Sequence, residues 1–305
     1  MNDFISIGNW RHQCIKQIKK MLDGTEMLPG VHAVFDEALA HLESAVRFVL
    51  PPGMGRWYEV KPDIDLSVDR LPFARVVFEY GPQQHAPSNQ VVINGQTIGR
   101  DHACSRRLIY AEQHADRIAL KFFFYDDAEK MWVLYPFGAW LQNKELSGHI
   151  VKPNISGMDV SENSSYFLKP FPLGVFGTAV LASGITYEQA WLDMQEESHV
   201  IGVVLEMLGC KNVRPERVSN KTKVSAKVPA ALKDDYYRMA VINTKAGHAV
   251  SDGESMGDAG ERTRPSEHLR RGHTYRPKPG VKMWRQGCVV NPGIGPRVVK
   301  DYRID

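Results

Sequence analysis

The chain has no pair of cysteines close enough in sequence to build a thiolate metal site. Its four cysteines, Cys14, Cys104, Cys210 and Cys288, are scattered through 305 residues without a CxxC. A zinc centre of that type is therefore not expected, and buried, reduced thiols are. No window approaches the roughly 20 consecutive apolar residues that a helical bilayer span needs, so no membrane partner is expected. Met1 to Trp10 lacks a basic stretch leading into an apolar one, which gives no secretory signal and makes a cytoplasmic location the expectation. The phosphate-cradling GxxxxGK[ST], the dinucleotide-binding GxGxxG and the zincin HExxH are missing. His102-Ala103-Cys104 is not followed by the PCxxC of a zinc deaminase. No cofactor and no metal are expected.

What is present is an ordinary core and an uneven charge. The hydrophobic fraction is 43% and the charged fraction 24%, enough apolar material for one large domain or two modest ones. The net charge of +3 conceals an asymmetry. Met1 to Cys210 holds 18 Lys and Arg against 25 Asp and Glu, whereas Lys211 to Asp305 holds 20 against 10. An acidic body thus carries a basic C-terminal third, which suits a polyanion, an acidic protein surface, or docking of the basic part on the chain's own body.

Periodicity organises the chain into an α+β fold. Trp10, Cys14 and Ile18 mark a helix over Asn9 to Leu22, and Phe35, Leu39, Leu42, Val46 and Val49 mark a second over Val34 to Leu50, stopped by Pro51-Pro52-Gly53. Leu71 to Tyr80, Val91 to Ile93 before Asn94-Gly95, Arg107 to Ala111, Arg117 to Tyr125 and Met131 to Phe137 read as a central antiparallel sheet. The aromatic run Lys121 to Tyr125 reads as sheet core. Gly148 to Pro172 has loop composition. Thr186 and Gln189 form a capping-box pair before a packed helix near 186–208, which Gly209 closes. Asp235 to Asn243 returns to strand character. The expected organisation is a mixed body over 1–244, a flexible Gly-, Asp- and Ser-rich stretch over 245–265, and a basic C-terminal hairpin over 266–305 packed on the body.

That C-terminal segment concentrates the candidate chemistry. With Pro277-Lys278-Pro279-Gly280 as the turn, Tyr275 faces Lys282 and His273 faces Trp284. Alternation then gathers Arg271, His273, Tyr275, Lys282 and Trp284 on one cationic, aromatic face. A slip of one residue would exchange the faces. Arginine forks suit phosphate or carboxylate, and the rings suit bases or apolar side chains. The competing reading puts Trp284 and Tyr275 in the core with the arginines as a solvated rim. His273 is a candidate general base, with His268, Arg270 and Arg271 near it in sequence. Asp63-Ile64-Asp65, Asp126-Asp127 and Glu59-Val60-Lys61 read as turn and cap carboxylates more readily than as magnesium ligands.

From Gly209 onward the features fall in a familiar order. Cys210-Lys211-Asn212-Val213 is followed by the basic Asn220-Lys221-Thr222-Lys223 and the strand-like Asp235 to Ile242. Next come Arg270-Arg271-Gly272-His273, Trp284 and Val289-Val290-Asn291. This order resembles a family of proteins from phages and other mobile elements. One branch of that family is the type V-A anti-CRISPR that suppresses production of the type V effector nuclease. The resemblance covers the last third of the chain. It implies binding of a segment of the effector protein as it is made, coupled to loss of its messenger, in the cytoplasm of a bacterial host. Arg270, Arg271, Gly272, His273 and Trp284 carry over as functional positions, and the binding set read from the hairpin adds Tyr275 and Lys282. The expected partner is a host or defence-system protein segment, with RNA or a ribosome-associated complex as a further class. A non-enzymatic counter-defence protein is the leading expectation. The alternatives are a metal-independent RNA-cleaving nuclease centred on His273 and a plain nucleic-acid-binding phage protein.

Overall fold

A computed structural model describes residues 9–50, 64, 66, 69–81, 90–93, 96–99, 104–143, 166–219, 234–241, 268–270, 273–285 and 288–290. Helix α1 (Trp10–Gly24) is capped by Asn9, whose side chain accepts from the His12 N–H at 2.9 Å, and buries Cys14 and Ile18 as its period requires. Helix α2 (Pro29–Ser44) begins on a proline, which costs nothing where the N–H would lack an intrahelical partner. It ends earlier than the periodicity predicts. Val46–Val49 is strand β1, with Phe48 fully buried, so the helix expected to run to Leu50 is corrected there. Pairing in the sheet outweighs the helical spacing of Val46 and Val49, as it readily does for β-branched residues.

Strands β2 (Arg75–Tyr80), β3 (Gln90–Ile93), β4 (Gln96–Gly99), β5 (Arg107–Gln113) and β6 (Arg117–Asp126) follow. Ile93 pairs with Gln96, the two-residue connection that Asn94-Gly95 predicts. The run expected over Met131 to Phe137 divides into β7 (Met131–Leu134) and β8 (Phe137–Asn143). Tyr166–Pro172, expected as loop, is strand β9, paired along β8 with Trp140 opposite Lys169. Its two prolines and the polar residues before it hide the strand from composition. Helix α3 (Gly174–Ala182) was likewise not legible, having almost no amphipathic contrast. The helix near 186–208 exists as two segments, α4 (Tyr187–Asp193) and α5 (Gln195–Leu208), with the expected capping box at Thr186 and Gln189. Strands β10 (Val213–Val218), β11 (Tyr236–Val241), β12 (His268–Arg270), β13 (His273–Lys278), β14 (Val281–Arg285) and β15 (Cys288–Val290) complete the described chain. The expected linker over 245–265 lies outside the described residues.

The fold is α+β. Its centre is a nine-stranded sheet in the order β10-β11-β1-β2-β5-β6-β8-β9, with β7 also on β6. Most pairings are antiparallel, as expected, but β1 runs parallel to both β2 and β11. The sheet is covered on both sides, which explains why strands such as β6 read as near-continuous apolar runs. On one face Phe78, Ile109, Leu120 and Phe122 meet Val200, Val204 and Leu205 of α5, together with Trp284 of β14. On the other, Val77, Leu108, Tyr110 and Phe123 meet Cys14, Ile18, Ala38 and Leu42 of α1 and α2. Phe122 and Phe123 thus serve opposite cores, and the aromatic run is sheet interior.

Charged side chains are also locked inside this sandwich. Glu79, 1% exposed, accepts from the Arg47 Nη2 at 2.7 Å and from the backbone N–H of Arg11 at 2.7 Å in the first turn of α1. Arg11 continues to the Ala45 carbonyl and to Asp234, which Asn9 also reaches. One carboxylate thereby joins β1, β2, the positive end of α1 and the approach to β11.

Candidate functional site

The C-terminal hairpin is present, with a register one step from that expected. The turn is Pro279-Gly280, with Gly280 at φ 71° and Lys278 opposite Val281. An irregularity between Tyr275 and Lys278 then sets Thr274 opposite Trp284, Tyr275 opposite Met283, and His273 opposite Arg285. The proposed common face is therefore corrected. Lys282 and Trp284 share the side turned to the body, and Tyr275 belongs to the other. Trp284 is 5% exposed and lies in the α5 core, so it is an anchor and not an open stacking platform.

The mount is specific. Asn212 accepts from the Trp284 N–H at 2.7 Å and donates to the Trp284 carbonyl at 2.7 Å. The Lys211 N–H reaches the Lys282 carbonyl at 3.0 Å. Glu206, buried on α5, accepts from the Thr274 hydroxyl at 2.7 Å and has the Lys282 ammonium at 3.8 Å. Cys210 lies beside this cluster; burial chiefly pushes its thiol up to about 11, which leaves it an unreactive core group at neutral pH. Around the hairpin, Lys211, Arg214, Arg276 and Lys278 are exposed; Arg217 pairs with Asp235 and Arg238 with Glu216. Arg270 lies in β12 opposite Cys288 and His273 in β13; their strand positions are what is described, and Arg271 and Gly272 fall outside the described residues.

A second site, which sequence reasoning did not find, lies on the opposite face of the sheet. Tyr110 sits opposite Lys121, Glu112 opposite Ala119, and Ala119 opposite Trp140. The small side chain of Ala119 floors a hollow of about 280 Å³. Glu37 and His41 of α2, Tyr110, Glu112, Lys121, Trp140 and Phe171 stand around it. Lys121 donates to Glu37 Oε1 at 2.8 Å and lies 3.1 Å from His41 Nδ1. An ammonium can only donate, so Nδ1 accepts and Nε2 carries the proton. The His41 ring stacks on Tyr110 at 4.6 Å and 7°. The Tyr110 hydroxyl donates to Glu112 at 2.9 Å, and Arg75 holds the other oxygen at 2.9 Å. Burial alone would raise Glu112, but these two hydrogen bonds outweigh it and hold the carboxyl below its ordinary range. Burial and the bond to Glu112 push Tyr110 up. These residues come from distant elements, and only the single charges set inside apolar strands, Lys121 and Glu112, advertise them in the sequence.

His41 gives this site a pH signature. Burial, then the Lys121 charge, holds its imidazole below the ordinary 6.5, with Arg75 acting the same way and Glu37 and Glu112 opposing. The unfolded chain binds this proton more strongly than the folded one. The contribution is therefore complete above about pH 6.5 and is lost as pH falls from there toward the lower folded value. The thermal midpoint is expected to drop between pH 7 and pH 5, and His41→Gln, whose amide oxygen can still accept from Lys121, to lose that part of the drop. An identical slope in both proteins would show that His41 is not responsible.

The remaining sequence candidates find structural places. Asp126 accepts from the Ala128 and Glu129 N–H groups in the β6–β7 turn, and Asp127 from Ser105. Ile64 is core; Asp63, Asp65, Glu59 and Lys61 lie outside the described residues. Among the described residues no group of three or more His, Cys, Asp or Glu side chains is placed to hold a metal. No described helix is long and apolar enough to cross a membrane. One GxSxG string, Gly253-Glu254-Ser255-Met256-Gly257, also lies outside the described residues, and the ten residues directly before it, Asn243 to Asp252, hold no apolar strand run of the kind that leads into a nucleophile elbow. Comparison with protein-family models, curated proteins and solved structures gives no match for this chain.

Proposed function

We propose that the protein is a counter-defence protein of the anti-CRISPR kind, one that binds a segment of its target protein and lowers production of a defence effector through its messenger. The observation that supports this reading is the mounted basic hairpin. A two-stranded hairpin by itself is marginal in water. This one is held by a core tryptophan, a buried asparagine bonded to both backbone groups of that tryptophan, and a buried glutamate. A fixed hairpin gives up little conformational freedom on binding, which favours recognition. The exposed Lys211, Arg214, Arg276 and Lys278 suit an acidic segment, and with it RNA or a ribosome-associated complex.

The test is co-expression in bacterial cells with a type V effector nuclease, following effector protein and messenger. Wild type is expected to lower both and to retain the effector segment in a pull-down. Arg276→Glu with Lys278→Glu is expected to abolish both effects, as is replacement of Arg270, Arg271 and His273 by alanine. Rim charges of this kind act largely through encounter, so capture should weaken as salt rises. Unchanged effector protein and messenger beside wild type would refute the proposal. RNA cleavage by the purified protein that His273→Ala removes would favour the nuclease instead.

A further inference from the structure

We propose that the hollow over Ala119 binds a small ring-bearing organic anion, a carboxylate or a phosphate ester. The site is on the α1–α2 face, across the sheet from the hairpin, so the inference is independent of the function proposed above.

Size comes first. Ala119 leaves the floor open, and the neighbouring Gly138 has no side chain: a Cβ there would meet the Phe171 ring at 2.5 Å and the Leu120 carbonyl at 2.7 Å. The resulting 280 Å³ lies just below the roughly 300–1,000 Å³ range for ligand pockets, which limits an occupant to one ring and one polar group. Trp140, Phe171, Pro172 and Leu173 make one wall apolar.

Charge decides the ligand's sign. Arg75 with Glu112, and Lys121 with Glu37, cancel in pairs. Two cations remain on the same side of the sheet. Arg117 precedes Ala119 by two positions on β6, and Lys169 pairs opposite Trp140 on β9. Neither makes an ion pair or side-chain hydrogen bond among the described residues, and the Arg117 Nε–H is buried without an acceptor there. The Arg117 guanidinium lies 4.0 Å from the centre of the Trp140 ring. A cation held against one face of an indole draws electron density toward itself and makes the other face a poor seat for a second cation. Lys121 has an N–H beyond its two partners, and His41 Nε2 carries another. The site therefore offers donors and an aromatic wall, and the two uncompensated positive charges flank it on the same face of the sheet, outside its lining. Glu37 is 59% exposed, so it can swing aside and let a ligand oxygen take its place on Lys121.

The experiment is isothermal titration of the full chain with four probes: benzoate, phenyl phosphate, benzylamine and inorganic phosphate. Benzoate or phenyl phosphate is expected to bind, and which of them binds tighter identifies the oxyanion. Benzylamine, the same ring with the opposite charge, and inorganic phosphate, without a ring, are each expected to bind at least about tenfold more weakly, the equivalent of one charged contact. Ala119→Leu should fill the hollow and abolish binding. Arg117→Gln with Lys169→Gln should weaken the anion by about tenfold or more while leaving the circular dichroism spectrum unchanged. Equal or tighter binding of benzylamine, no binding of either ring-bearing anion, or binding that survives Ala119→Leu would overturn the assignment. Should Ala119→Leu misfold, the glutamine pair decides, and undiminished affinity in it overturns the assignment.

Discussion

The Glu79→Gln protein is expected to lose about 3–5 kcal/mol of folding stability, a large part of the roughly 5–15 kcal/mol that a domain has. The change keeps shape and removes one charge. Arg47, whose side chain is 3% exposed, then has a buried positive charge 2.7 Å from a neutral amide. The first turn of α1 also loses its anion, because the Arg11 N–H donates to the same carboxylate. The measurement is a urea titration, paired with Arg47→Met/Glu79→Leu. The double variant should recover the part of the loss due to the stranded Arg47 charge but not the part due to the Arg11 N–H, which a leucine leaves without its acceptor. A single variant within about 1 kcal/mol of wild type would mean that water reaches Arg47 and that the pair is not a buried one.

The second large effect is expected at Trp284→Ala, at about 3–5 kcal/mol for an aromatic truncated in a core. Here the loss should be local in character. Trp284 joins the hairpin to α5, and the Asn212 bonds act on its backbone. Hydrogen exchange should show amides of 273–285 losing protection before those of β5 and β6, which are central strands. Asn212→Ala should reproduce the pattern at smaller size, because it exposes two buried backbone groups without removing the ring. Uniform loss of protection across the chain would show instead that the hairpin is inseparable from the body.

The parts of this fold that could be read from sequence are those in which one residue enforces a local geometry. Asn94-Gly95 signals the pairing of Ile93 with Gln96, Thr186 with Gln189 a capping box, and the i, i+4 spacing of Trp10, Cys14 and Ile18 helix α1. The misreadings lie where distant partners decide. Val46 and Val49 fit a helix until β2 and β11 claim them from either side. The hairpin itself is legible, yet the irregularity before Lys278 sets the β13 residues His273 and Tyr275 on the face opposite to Lys282 and Trp284. The hollow was harder still. Lys121 and Glu112 are visible as charges in apolar strands, but nothing in their sequence neighbourhood says that α2 brings His41 and Glu37 over them.

The parallel seat of β1 between β2 and β11 sets a timetable. Phe48 pairs with Tyr237, 189 positions later in the chain. During synthesis the N-terminal part can assemble β2, β5, β6 and β8, but one edge of β1 stays bare until residue 241 has left the ribosome. Contacts so distant in sequence make the last step slow. The basic hairpin comes later still, so its dock on α5 is prepared before it arrives, and a product cut short near residue 230 would carry an open strand edge ready to pair with another chain.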